Sequence, residues 1–449
     1  MAFTTTRDTV TPDPSRAASL APASVGEVTA DPDRIGLSEP AWDALLIAVA
    51  GYILTTVGRV HQLFPVLESL HPATLSGLFA IVCYASDRQV TRRVGEVFVG
   101  PTKYLAAFFL WMILSVPGAL VIGTSFDVVF GNFLKTAVMY VVVAGAVRGP
   151  RDVERLAMVY LISATLYAVI VIARFDLGSG DGWRLGHLYY YDANDFATFV
   201  VTAIPFGLYS LHAGRRLPVR LFAGMSLGIL AIAFVRTGSR GGFIALVAVF
   251  TFIVVRYAAI ALRWRIAATA LVAIVVAGTA SDQYWTQMGT ILSDADYNRT
   301  DESGRMQIWR RGIGYMFRHP VLGVGPGNFQ AAEGMLSAFA DRQQLGVGVR
   351  WNAAHNSYIQ VGAELGIPGL CIFVAIIASA FQALRRVNRS WPIDRIVDDR
   401  PRALTQALTA ALIGFVVGAY FLSLVYAELF YTLLALAAGL EKVAGQEPS

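Results

Sequence analysis

Three arginines stand in polar clusters that interrupt an otherwise apolar chain: Arg184, Arg240 and Arg305. Asn194 lies downstream of the first, and Ser239 directly precedes the second. An arginine presents a planar fork of N–H donors that binds two phosphate oxygens at once. Because positive groups fixed in position stabilise a departing anion, these residues are suited to hold a diphosphate. We predict that Asn194 and Ser239 support the arginines, although a helix cap is the simpler role for Asn194, as it is for Asp192.

A fourth cluster contains His355, Asn356 and Tyr358. A neutral imidazole can accept a proton from an attacking hydroxyl, and the positive end of a following helix favours the neutral ring. His355 is therefore a candidate general base, with a structural loop histidine as the alternative. We predict that Asn356 supports it and that Tyr358 is either a supporting residue or an interfacial aromatic. Glu364 lies about two turns further on, where we predict a buried packing partner rather than a base.

Common catalytic signatures are absent from the sequence, which contains neither a GxxxxGK[ST] phosphate loop nor an HExxH zinc motif. Asp294 and Asp296 form the DxD pattern that can hold a metal-bound nucleotide sugar. The orientation argued below places this pattern outside the cytosol, so we interpret it as chance. Gly323, Gly325 and Gly327 are expected to shape a turn. The sequence thus predicts no metal site and no cofactor.

Composition decides which class of protein must carry these clusters. The chain has 449 residues, of which 55% are hydrophobic and 15% are charged, and its mean hydropathy is +0.55. A soluble domain typically carries roughly 25% charged residues, and a soluble protein of this size cannot bury so much apolar surface. We therefore predict an all-α polytopic membrane protein. Its net charge of +5 is modest, and we expect no nucleic-acid partner.

Twelve apolar runs are candidates for transmembrane helices, each of which needs about 20 residues. They lie at 42–58, 72–86, 104–122, 133–147, 156–174, 196–211, 221–235, 242–262, 266–281, 358–384, 404–424 and 426–440. Eighteen Lys and Arg residues follow the even-numbered runs up to the tenth, against four in the short opposite turns. By the positive-inside rule, both termini face the cytoplasm.

The sixth, eighth and tenth runs begin on the outer face, each directly after one of the polar clusters. A helix start presents unpaired N–H groups and about half a positive charge, which makes it a ready anion site. With the arginines beside them, these starts predict a positive pocket at the membrane surface. A lipid-linked diphosphate carries its charge at that depth.

The positions of these runs divide the chain into five parts. We assign 1–40 to a disordered cytoplasmic tail, 41–281 to transmembrane helices 1–9, 282–356 to one large periplasmic loop, 357–441 to helices 10–12 and 442–449 to a cytoplasmic tail. Within the loop, residues 303–318 alternate apolar residues and arginines at helical spacing. They predict an amphipathic helix that lies either on the membrane surface or against the bundle.

Three stretches carry a resemblance to a known family. They are the Ser-Arg-Gly turn at 239–241, HPVLGVGPGNF at 319–329 and HNSYIQVGAELGIPGL at 355–370. Together with the layout of runs and the large late loop, they resemble the bacterial O-antigen ligase and polysaccharide polymerase superfamily over about residues 183–370. The third stretch is the most specific of the three.

The resemblance implies a metal-independent, inverting glycosyltransferase of the bacterial inner membrane whose site faces the periplasm. Such an enzyme moves a glycan from a polyprenyl (undecaprenyl) diphosphate carrier to a hydroxyl of an acceptor glycan or lipid core, among membrane lipids. The family's functional arginines match Arg184 and Arg240, its loop histidine matches His355, and a common loop arginine matches Arg305. A ligase and a polymerase share the donor and differ in the acceptor, and the sequence does not separate them.

A transporter or flippase of lipid-linked oligosaccharides is the alternative from another class. Transporters usually carry broken helices and ionisable groups near the bilayer midplane. In this sequence the polar clusters stand at one face, and the middles of the runs are almost free of charge. We therefore favour the transferase.

Overall fold

The described chain folds into helices. The computed structural model describes residues 41–174, 184–185, 191–214, 216–292, 301, 304–338, 340, 352–390 and 399–445, and these contain no strand. In a bilayer each backbone N–H and C=O must be satisfied within its own segment, so long apolar runs fold as helices. The predictions for residues 1–40, Asp294 and Asp296 lie outside the described residues.

The longer helices are labelled α1 to α15 in chain order. They are Ala44–Thr56 (α1), Pro72–Ser86 (α2), Gly100–Ser115 (α3), Leu134–Ala146 (α4), Pro150–Arg174 (α5), Ala193–Ala213 (α6), Leu217–Thr237 (α7), Arg240–Arg256 (α8), Leu262–Thr279 (α9), Asp282–Gly289 (α10), Arg305–Arg318 (α11), Phe329–Leu336 (α12), Ser357–Ser390 (α13), Arg400–Gly418 (α14) and Glu428–Ala444 (α15). Helical turns of three to seven residues lie between several of them.

Nine helical segments of the described chain are long and apolar enough to cross a membrane. A helix lies at each of the twelve predicted positions. However, α3, α8 and α15 have only 16, 17 and 17 residues and are not among the nine. The all-helical membrane fold is thus confirmed, whereas the count of about twelve spans stays a prediction.

The start of α1 and the end of α15 lie at the same end of the bundle. Arg92, just after α2, pairs with Asp43 at the start of α1 at 2.6 Å and donates to the carbonyl of Ala146 at 3.2 Å. Lys442, in the last turn of α15, donates to the neighbouring carbonyl of Gly145 at 3.0 Å. We call this the terminal end. That it faces the cytoplasm stays a prediction.

The starts of α6, α8 and α13 meet at the opposite end, which we call the motif end. A Cβ added to Gly242 in α8 would lie 2.7 Å from the Cβ of Ala197 in α6, so these two helices are in close contact there. The N–H of Ser357 at the start of α13 donates to the carbonyl of Ala419, which follows α14, at 2.8 Å. The three polar clusters are thereby gathered at one end.

Helix α13 is kinked at Gly366, whose backbone has φ 70° and ψ −172°. The loop that follows α11 packs into this kink, since the N–H of Ile367 donates to the carbonyl of Pro320 at 2.8 Å. Gly323 and Gly325 in that loop also have positive φ, as does Gly327. Only glycine adopts such backbone without strain, so the predicted glycine-shaped turn is confirmed.

Helix α11 has one packed face and one exposed apolar face. Ile308 and Tyr315 are buried, whereas Met306 and Phe317 are 45% and 66% exposed. The helix Arg305–Arg318 lies within the predicted range 303–318 and has the two faces of an amphipathic helix. The packed face supports the bundle alternative, and the exposed apolar face is what a membrane surface would cover.

Candidate functional site

Arg184 links the start of α6 to the end of α7. Its Nε donates to the carbonyl of Thr237 at 2.7 Å, and its Nη2 donates to Oδ1 of Asn194 at 3.1 Å. Asp192 caps α6 by accepting from the backbone N–H groups of Asn194 at 2.6 Å and Asp195 at 2.8 Å. The cap expected at Asp192 is therefore confirmed. The cap expected at Asn194 is wrong, because its side chain accepts from Arg184 instead.

Arg240 is the first residue of α8. Ser239 caps this helix, since its Oγ accepts from the N–H of Gly242 at 3.1 Å. Nη1 of Arg240 donates to Oγ1 of Thr290, which follows α10, at 2.8 Å. The guanidinium thus lies beside a helix start and one of its donors is oriented by a threonine hydroxyl.

His355 lies two residues before the start of α13 and has a left-handed backbone conformation with φ 48°. Among residues other than glycine, histidine is one of the types enriched in this region. Its N–H donates to Oγ of Ser423 at 2.9 Å. Asn356 caps α13, because its Oδ1 accepts from the N–H groups of Tyr358 and Ile359, both at 3.0 Å. The imidazole is therefore carried on a backbone that is fixed on both sides.

Charges from two other segments act on the imidazole of His355. Burial lowers the pKa of this ring below its ordinary value, and the positive charge of Arg305 lowers it further. The negative charge of Asp192 acts in the opposite direction. The ring is therefore neutral near pH 7 and able to accept a proton. Asp192, Arg305 and His355 are distant in sequence, yet the fold allows electrostatic interactions of the two charged groups with the imidazole.

The connection between α14 and α15, residues 419–427, was missed by the sequence analysis. Its Ser423 holds the backbone of His355. Its Phe421 packs on the turn of Arg240, since a Cβ added to Gly241 would lie 2.7 Å from the Cβ of Phe421. The only signal in the sequence is one serine, Ser423, among the aromatic residues Tyr420, Phe421 and Tyr426 where the last two apolar runs meet.

Glu364 is 1% exposed and accepts hydrogen bonds from four neighbours. They are the N–H of Gly327 at 2.9 Å, the N–H of Phe329 at 3.3 Å, Nε2 of Gln360 at 3.2 Å and the hydroxyl of Tyr426 at 2.6 Å. Both carboxylate oxygens are engaged in holding the loop before α12 against α13. This geometry suits a packing partner.

Tyr358 packs within the protein rather than only at its surface. Its hydroxyl donates to the carbonyl of Val416 at 2.9 Å. The centre of its ring lies 6.0 Å from that of Phe373 and 6.4 Å from that of Tyr420. It therefore fastens the start of α13 to the end of α14.

The arrangement combines a proton acceptor with cationic side chains and helix starts. Among the described residues, no group of three or more His, Cys, Asp or Glu side chains is placed to hold a metal ion. The guanidinium groups and the N–H groups of helix starts are suited to bind an anion of phosphate type. A neutral imidazole beside them can take a proton from a hydroxyl group.

A comparison with protein families gives a match at residues 225–374, to the O-antigen ligase family. The matched range contains Arg240, Arg305, His355 and Glu364, but it begins after Arg184 and Asn194. It is narrower than the resemblance that the motifs indicated. No curated protein matches the chain. With its apolar helices the chain is a multi-pass membrane protein, and its residues 225–374, less than half of the chain, are similar to the O-antigen ligase family.

Proposed function

We propose that this protein transfers a glycan from a polyprenyl diphosphate carrier to a hydroxyl group of an acceptor sugar, as an O-antigen ligase or as a polysaccharide polymerase. The reaction takes place at the motif end, on the periplasmic face of the bacterial inner membrane. The acceptor is a lipid-anchored core sugar for a ligase and the next lipid-linked repeat unit for a polymerase.

The observation that carries the proposal is that the starts of α6, α8 and α13 meet at the motif end, where one connection, residues 419–427, holds the backbone of His355 and packs on the turn of Arg240. A transferase that works on a lipid diphosphate needs a base for the acceptor and positive charge for the leaving group. The two needs are met by different segments of the chain that the fold brings together. The family match over residues 225–374 supports the same reaction class.

In the proposed reaction, Arg184, Arg240 and Arg305 bind the diphosphate. The acceptor oxygen attacks the anomeric carbon from the face opposite the diphosphate, and the bond from that carbon to the diphosphate oxygen breaks. The configuration at the anomeric carbon is inverted. His355 takes the proton of the acceptor hydroxyl, and the carrier leaves as an anion stabilised by the arginines. The reaction uses no metal ion in this proposal.

The direct test uses purified protein and a synthetic polyprenyl-diphosphate oligosaccharide. We expect His355→Ala to lower turnover by about 10²–10⁴-fold, the usual contribution of a general base, while donor binding stays nearly unchanged. His355→Asn is the matched control for the fold, because asparagine also tolerates left-handed backbone but cannot act as the base. Donor binding that falls as much as turnover in both variants would assign His355 to binding or folding.

The acceptor class is decided by the intermediate that accumulates in cells that lack the gene. Single repeat units left on the carrier mean a polymerase, and long chains left on the carrier mean a ligase. Lipid-linked oligosaccharide that stays on the cytoplasmic leaflet would instead support the flippase.

Reporter fusions test which side of the membrane the motif end faces. A fusion after Arg216 and a fusion after Arg386 should report the cytoplasm, and a fusion within residues 294–348 should report the periplasm. A cytoplasmic signal from 294–348 would overturn the proposed location of the site.

A further inference from the structure

The terminal end contains a cavity of about 750 Å³ between α8, α13 and α14. The end of α13 is fixed at this end of the bundle, since Nε of Arg386 donates to Glu441 near the end of α15 at 3.0 Å. The end of α8 meets the start of α14 there, because the hydroxyl of Tyr257 donates to the carbonyl of Ala403 at 2.7 Å. The cavity is therefore at the far end of the bundle from His355.

Four arginines line this cavity: Arg256, Arg385, Arg389 and Arg402. Arg256 ends α8, Arg402 stands in the first turn of α14, and Arg385 and Arg389 are one turn apart near the end of α13. None of the described residues that line the cavity is acidic. The Nε atom of Arg402 is buried and has no hydrogen-bond partner among the described residues. The cavity therefore has a surplus of positive charge and a buried donor to satisfy.

The wall next to the arginines is apolar. Phe252 and Phe381 line the cavity four residues before Arg256 and Arg385, which places them one helical turn, about 5.4 Å, further into the bundle. Leu384 lines the same wall. The cavity is thus charged at its rim and apolar towards the membrane interior. A small anion needs only the rim, whereas an anionic lipid matches both parts.

We propose that this cavity binds an anionic phospholipid from the membrane leaflet at the terminal end. Its phosphate lies between Arg385, Arg389 and Arg402, and an acyl chain lies along Phe252 and Phe381. Basic pockets between transmembrane helices are suited to anionic lipid headgroups, because the leaflet supplies both the charge and the hydrocarbon. Two of the three helices around the lipid also carry the candidate site, since α8 begins at Arg240 and α13 begins after His355.

The test measures phospholipid bound to the purified full-length protein by mass spectrometry of the intact protein, with added phosphatidylglycerol. We expect Arg385→Gln/Arg389→Gln/Arg402→Gln to weaken binding at least about tenfold, which corresponds to about 1.4 kcal/mol. The matched control is Arg88→Gln/Arg93→Gln/Arg220→Gln, which removes the same charge from exposed arginines that do not line the cavity. This control should bind phosphatidylglycerol as the unmutated protein does.

A second variant guards against misfolding of the triple mutant. Ala258 lies on the exposed rim of the cavity, so Ala258→Glu adds a repelling carboxylate without disturbing a packed position. We expect it to weaken phosphatidylglycerol binding as well. Equal weakening by the cavity triple mutant and by its control would overturn the proposal, because net charge alone would then explain binding.

Two other ligands, phosphatidylcholine and inorganic phosphate, test whether the cavity recognises both the charge and the hydrocarbon of the lipid. Zwitterionic phosphatidylcholine should bind much more weakly than phosphatidylglycerol and should not raise the thermal unfolding temperature. Equal binding of phosphatidylcholine would overturn the proposal, since the arginines would then not select the lipid. Inorganic phosphate that competes as strongly as the lipid would also overturn it, because the apolar wall would then contribute nothing.

Discussion

The backbone N–H of His355 donates a 2.9 Å hydrogen bond to the Oγ of Ser423, which joins the candidate base to the connection between α14 and α15. The backbone of His355 has φ 48°, and left-handed backbone costs a residue with a side chain about 1–3 kcal/mol. Such a conformation persists only when its surroundings hold it. Ser423 is therefore a positioning residue for His355 in the proposed mechanism.

Replacing Ser423 should disturb catalysis more than binding. We expect Ser423→Ala to lower kcat about tenfold, or about 1.4 kcal/mol of barrier, with little change in KM, because the ring loses its fixed orientation. Ser423→Thr keeps the hydroxyl and should retain most of the activity. Steady-state kinetics check this, and an unchanged kcat in the alanine variant would refute the positioning role.

The pH dependence of turnover should report the imidazole of His355. Burial and Arg305 lower its pKa below the ordinary value of 6.5, so activity should be present at neutral pH and should fall as the pH drops through this lowered pKa. Arg305→Gln removes a positive neighbour and should move the acid limb to higher pH. Asp192→Asn keeps a helix-capping side chain but removes a negative neighbour, so it should move the limb to lower pH.

The two variants therefore make predictions of opposite sign that one set of pH–rate profiles can check. Because Arg305 is also proposed to bind the donor, the position of the limb and not the absolute rate is the readout. A limb that moves in the same direction in both variants would contradict the assignment to His355.

Arg240 should not tolerate replacement by lysine. A diphosphate clamp needs two N–H donors in a fixed plane, which a single ammonium group cannot supply. We expect Arg240→Lys to lose at least about tenfold in transfer, or about 1.4 kcal/mol, and chelators to leave the unmutated protein unaffected. Near-full activity of the lysine variant would mean that Arg240 only anchors the helix end, and loss of activity with a chelator would indicate a metal at the diphosphate.

The contact from Arg240 to Thr290 offers a matched control. Thr290→Val removes the hydroxyl that accepts from Nη1 of Arg240 at 2.8 Å but leaves the guanidinium in place. We expect a smaller loss of transfer activity than for Arg240→Lys, measured under the same conditions.

Glu364 should matter for stability. Its carboxylate accepts from two backbone N–H groups and two side chains, and hydrogen bonds to charged groups contribute about 1.5–3 kcal/mol each. Glu364→Gln should therefore lower the free energy of unfolding by about 3 kcal/mol, since an amide NH₂ cannot accept. Tyr426→Phe, which removes one of the four donors, should cost about 1.5 kcal/mol. Thermal unfolding in detergent measures the stability of both variants. A larger loss of stability for Tyr426→Phe than for Glu364→Gln would contradict the packing role of Glu364.

The helical fold follows from the sequence because a bilayer permits few alternatives. Apolar runs such as 196–211 become helices whatever their neighbours, and the caps of α6 and α8 follow from the local preferences of Asp192 and Ser239. The number of spans does not follow as directly. Hydropathy marks a position, whereas helix length depends on where the neighbouring turns begin, and α8 ends at Arg256 rather than at the predicted 262.

Contacts between distant segments were beyond the sequence. Asn194 has the residue type of a cap, and nothing local shows that Arg184 takes its side-chain oxygen. Ser423 lies inside the predicted run 404–424, and it reaches His355 because α14 ends at Gly418 and packs against α13. Side-chain type is the basis of the chemistry that we propose for the site, whereas its supporting partners depend on tertiary packing.

The kink at Gly366 gives α13 a short first arm that runs from Ser357 to residue 365. At 1.5 Å per residue and about 100° per residue, one added residue in this arm would turn His355 by about 100° around the helix axis. The turn would carry it away from Ser423 and Arg305, although every side chain of the site would still be present. The number of residues between His355 and Gly366 therefore sets the direction in which the imidazole points around the helix axis. An insertion or deletion in this arm should act like loss of the histidine itself.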